Sequence, residues 1–84
     1  MEQCYITFRS VTLAQRAEAI LKREGYKCYL QRTPKWMGQR GCGYALQVRR
    51  QEVASCVAAL QQEQAPFSKV FCQHADGQGE EMVL

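Results

Sequence analysis

The stretch Cys4-Tyr5-Ile6-Thr7-Phe8-Arg9-Ser10-Val11-Thr12-Leu13 changes period in mid-course, and that change decides the fold. From Cys4 to Phe8, β-favouring side chains alternate, so Cys4, Ile6 and Phe8 share one strand face. Ser10 or Thr12 then stands where a helix N-cap belongs, and Thr12 with Gln15 fits a capping box. Beyond it Leu13, Ala17, Ile20, Leu21 and Glu24 follow helical spacing, with Arg16, Lys22 and Arg23 outward. Gly25 supplies a C-terminal stop.

Working outward, 27–32 reads as a second strand, with Cys28 and Leu30 on one face. Residues 33–41 form a loop that holds Pro34, Gly38 and Gly41 and exposes Trp36 and Met37. A third strand over 43–49 places Tyr44, Leu46 and Val48 together. A second helix over 52–62 carries the stripe Val53, Cys56, Val57 and Leu60, and Ala65-Pro66 ends it. The fourth strand, 67–73, aligns Val70 with Cys72. The order βαββαβ predicts an α+β, ferredoxin-like domain over 1–73, with a four-stranded antiparallel sheet and both helices on one face. Residues 74–84, which include His74, are expected to be a flexible acidic tail.

A chain of 84 residues has room for one layer of helices on one sheet, so chemistry is expected in a surface loop. No apolar run approaches the ~20 residues of a membrane span. Met1-Glu2-Gln3 opens no basic, apolar leader, so the expected compartment is the cytosol and no membrane is expected. The net charge of +3 is uneven: residues 1–73 carry eleven basic and five acidic groups, a net +6. Lys27, Arg32, Lys35, Arg40, Arg49 and Arg50 follow one another with no acid between them. Such a block is either a solvated basic face or a site for an anion.

The five cysteines, Cys4, Cys28, Cys42, Cys56 and Cys72, are odd in number and widely spaced. No Cys-X-X-Cys pair is present, so neither a zinc knuckle nor a dithiol motif is indicated, and neither metal nor cofactor is expected. Five reduced thiols are the expectation. Cys4, Cys28, Cys56 and Cys72 fall at core positions, where cysteine packs as a small hydrophobe. Cys42 does not: it lies in Gln39-Arg40-Gly41-Cys42-Gly43. Gly41 and Gly43 leave room for a reagent and for backbone N–H groups to face an anion, while Arg40 and Lys35 add positive charge that favours a thiolate. A cysteine tucked under a tight turn is the structural alternative. No resolving cysteine is adjacent, and His74 could serve as a base only if the tail folds back. What remains is a thiolate that accepts and passes on one group, more a carrier or accessory protein than a stand-alone enzyme.

Phe8-Arg9-Ser10, Ala14 to Gly25, Thr33-Pro34-Lys35 and Cys42-Gly43-Tyr44-Ala45-Leu46 resemble the small bacterial proteins of the selenium/sulfur carrier-like family. The resemblance covers about residues 4–73, and the Cys-Gly pair after the proline turn is its most specific element. It implies that Cys42 carries a persulfide or perselenide. The implied partners are a donor of the cysteine desulfurase or selenocysteine lyase type and a sulfur or selenium acceptor protein. The loop departs from the family pattern in Trp36-Met37-Gly38-Gln39-Arg40-Gly41, where serines often stand, and in Lys35, where the family has arginine.

Two other readings leave Cys42 without chemistry. A nucleic-acid module would use Tyr5, Tyr29 and Trp36 beside basic groups, but Ala45 and Gln47 point outward on the third strand in place of an aromatic run, so nucleic acid is not expected. An interaction or regulatory module would offer Trp36 and Met37 to a partner, a homodimer through the sheet edge or face being compatible with it.

Overall fold

The structure, a computed structural model, describes residues 3–33, 43–73 and 79–82. The elements run β1 (Gln3–Phe8), α1 (Val11–Arg23), β2 (Tyr29–Arg32), β3 (Tyr44–Arg49), a 3-10 turn at Arg50–Glu52, α2 (Val53–Gln62), β4 (Val70–Gln73) and β5 (Gly79–Met82). The sheet order is β2-β3-β1-β4-β5, and every neighbouring pair is antiparallel. Its first four strands and two helices are the ferredoxin-like arrangement that the alternating periods predict.

The strand parity follows the hydrophobic pattern. Cys4 opposes Val48 and Cys72, Ile6 opposes Leu46 and Val70, and Phe8 opposes Tyr44. These residues join Ala14, Ala17, Ile20 and Leu21 of α1 and Val53, Cys56, Val57 and Leu60 of α2 in one core. Neither helix could bury such a stripe without the sheet, so packing rather than intrinsic propensity holds them. Among the described residues no helix is long and apolar enough to cross a membrane.

Ser10, not Thr12, caps α1: its backbone is extended, and its side-chain oxygen accepts from the Leu13 N–H at 3.3 Å. Gly25 then takes a left-handed φ of 91° beyond the C-cap Glu24. The Gly25 N–H donates to the Lys22 carbonyl and the Tyr26 N–H to the Leu21 carbonyl, which is a Schellman closure. The same two bonds end α2, from the Gln64 N–H to Gln61 and from the Ala65 N–H to Leu60. There the left-handed residue is Gln64, with φ 55°.

Two expectations change. The stretch read as a flexible tail contributes a strand, since Gly79–Met82 pairs with β4. Without it the outer edge of β4 would present unpaired backbone groups, and β5 covers that edge. The expectation of five reduced thiols fails for Cys4 and Cys72, which form a disulfide. Its cause is register: the two residues stand opposite each other with Cα atoms 4.0 Å apart. The Thr7 N–H donates to the Lys69 carbonyl at 2.8 Å, so the backbone groups of Thr7 point toward β4. Counting outward, Cys4 and Cys72 occupy a non-hydrogen-bonded pair, where facing side chains come closest.

Candidate functional site

The loop expected to carry chemistry hangs from two stems, Thr33 after β2 and Gly43 before β3. The Thr33 N–H donates to the Gly43 carbonyl at 3.2 Å, which closes the hairpin base. Lys35, Trp36, Met37, Arg40, Gly41 and Cys42 lie outside the described residues, as does His74. Gly43 is exposed, its φ is not left-handed, and a Cβ placed on it would meet nothing within 4 Å among the described residues. No backbone strain therefore demands glycine at 43. The Thr33 hydroxyl is buried at this stem with no hydrogen-bond partner among the described residues.

The four cysteines assigned to the core are all buried. Cys4 and Cys72 are consumed by their disulfide. Cys28 sits between α1 and β2, its Sγ 3.9 Å from the Glu18 carbonyl oxygen. Burial pushes its pKa up, the Glu18 charge pushes the same way, and Lys22 offsets part of the shift. Cys56 lies in the α2 stripe, and burial, with the Glu52 charge and then Cys28 adding to it, pushes its thiol up to about 12. A thiol in that state holds its proton at neutral pH and is neither a nucleophile nor a ready sulfur acceptor.

Three cations of the basic block stand together at a distance from Gly43. Lys27, Arg49 and Arg50 line one cavity with Gln3, Tyr29, Gln47, Val48 and Gln51. This cavity lies at the far end of β3 from Gly43, across ~17 Å of strand. Charge counting flagged these cations, but only the β1–β3 and β2–β3 registers bring them together. The aromatic reading of the sheet is corrected at Tyr5, which stands opposite Gln47 and Phe71 and is only 6% exposed. Ala45, expected to point outward on that face, is fully buried opposite Thr7. Tyr29, on the edge strand β2, remains 62% exposed.

A family model described as "Putative Se/S carrier protein-like" matches residues 3–72. Neither a curated protein nor a solved structure matches the chain.

Proposed function

Since the chain belongs to the Se/S carrier-like family, matched from residue 3 to residue 72, we propose that it carries a single sulfur or selenium atom on Cys42. The family match is the observation that carries this reading. The sorting of the other thiols supports it: two are joined to each other, and two are buried and held protonated.

In the proposed step the Cys42 thiolate attacks the outer sulfur of a donor persulfide, R–S–SH. A new S–S bond forms to Cys42, the donor S–S bond breaks, and the donor leaves as its thiolate. Charge is conserved and no external oxidant is required. A perselenide donor, R–S–SeH, transfers selenium in the same way. Lys35 and Arg40 stabilise the attacking thiolate, and Gly41 and Gly43 keep the approach open. Trp36 and Met37 serve as contacts for the donor or for the acceptor protein. Donors of the cysteine desulfurase or selenocysteine lyase type supply the atom, and the protein acts as a carrier rather than a stand-alone enzyme. The cytosol is the proposed compartment. Cys4 and Cys72 are both buried, so exchange of their bond with cytosolic thiols requires the sheet to open.

Incubation with a cysteine desulfurase and cysteine, followed by intact mass under non-reducing conditions, tests the reading. One sulfur added to the wild-type chain and none to Cys42→Ser is the expected result. An adduct that persists in Cys42→Ser, or no adduct on either protein, overturns it.

A further inference from the structure

The geometry points to a binding site for a nucleoside phosphate beside Tyr29, at the end of β3 farthest from Gly43. The cavity there encloses about 640 Å³, a volume suited to a small ligand. Its lining includes three cations, Lys27, Arg49 and Arg50, and the three side-chain amides of Gln3, Gln47 and Gln51. Among the described residues that line it, none is Asp or Glu. Lys27 and Arg49 are exposed and make no ion pair among the described residues.

Sheet register arranges these groups in two rows. Tyr29 stands opposite Gln47, and Arg49 opposite Gln3. Arg49 and Gln47 share a face of β3, two residues apart, so the guanidinium sits diagonally across from the Tyr29 ring. Lys27 precedes Tyr29 by the same two positions. A planar ring stacked on Tyr29 would therefore have its anionic end over Arg49 and Lys27, with the amides as donors and acceptors for a base edge or a sugar. Stacking would also cover a tyrosine ring that the fold leaves 62% exposed.

The composition of the site selects among anions. Inorganic phosphate would leave the ring unused. A single-stranded nucleic acid needs successive stacking platforms, but Tyr5, the next aromatic in that row, is buried. One exposed ring beside one cluster of cations matches one nucleotide.

The test is titration of the full chain at low salt with ADP and ATP, with adenosine, inorganic phosphate and a short single-stranded oligonucleotide as comparisons. The readout is amide chemical shift or calorimetry. ADP and ATP should bind more tightly than either adenosine or phosphate, and added salt should weaken them. Tyr29→Ala should weaken ADP by about tenfold or more through loss of one base stack, while Tyr29→Phe keeps the affinity. Arg49→Gln, at an exposed strand end, should weaken ADP and flatten the salt dependence. The proposal is overturned if ADP does not bind at millimolar concentration, if phosphate binds as well as ADP, if Tyr29→Ala leaves affinity unchanged in a folded protein, or if the oligonucleotide binds more tightly than ATP.

Discussion

Thr7 is the one fully buried polar side chain of the described residues, and its hydroxyl is part of the sheet rather than an exception to it. Thr7 Oγ1 donates to the Lys69 carbonyl at 3.1 Å and accepts from the Lys69 N–H at 3.0 Å. The Thr7 carbonyl meanwhile accepts from the Ser68 N–H at 2.8 Å. The approach to β4 is thus offset by one residue, and the threonine hydroxyl takes the donor that the offset would strand. Thr7→Val keeps the shape and removes that partner, so stability should fall by about 1–3 kcal/mol. A urea midpoint equal to wild type would show that the hydroxyl is dispensable. Cys56 makes a second prediction at this scale. Its folded pKa, about 12, lies above the ordinary 9.0, so the unfolded chain loses this proton first as pH rises. Its contribution to stability is complete below 9.0 and declines between 9.0 and about 12, and Cys28 shifts in the same direction. Urea midpoints measured from neutral pH upward should stay level and then fall through that window, and Cys56→Ala should lessen the fall.

The two helices end alike but with different residues at the left-handed position, and that difference can be measured. Gly25 occupies it at no steric cost after α1, whereas Gln64 holds it after α2 with a Cβ that disfavours it. Gln64→Gly should stabilise the protein by roughly 0.5–1 kcal/mol, and Gly25→Ala should destabilise it by about 1 kcal/mol or more. Thermal unfolding of the two variants should move in opposite directions; movement in the same direction would mean that the caps do not control these ends. Gly25 was readable in advance because glycine after a helical stripe has few other uses. Gln64 carried no such signal, and its conformation follows from the Ala65 N–H reaching back to Leu60. The N-cap was half readable: both Ser10 and Thr12 have the right chemistry, and the fold selects the residue immediately before the first helical turn.

For the whole molecule, alternation in β1 and β3 and the stripes of both helices were enough to give the ferredoxin-like order, because each apolar set has one face to bury. The fifth strand was not legible, since Glu80 and Glu81 are poor strand formers. What places Gly79–Met82 is the free edge of β4, a property of the assembled sheet. For the candidate site the sequence offers Cys42, through its flanking glycines and the cations close to it in the chain, and that loop lies outside the described residues. The cavity around Tyr29 and Arg49 depends on register between strands, which local sequence does not encode. The Cys4–Cys72 bond was hidden for the same reason, and it makes the last prediction. Its partners are 68 positions apart, so the bond closes most of the chain into one loop and shrinks the unfolded ensemble. Chain entropy alone puts the effect at about 4 kcal/mol, and the resulting smaller ensemble should raise the urea midpoint in the oxidised state. Unfolding with and without reductant measures it directly. Alkylation of the urea-unfolded, unreduced chain should label Cys28, Cys42 and Cys56 while sparing Cys4 and Cys72. Equal midpoints in both conditions would assign the stability of the sheet to its apolar face alone, and labelling of Cys4 before reduction would mean the bond does not form in solution.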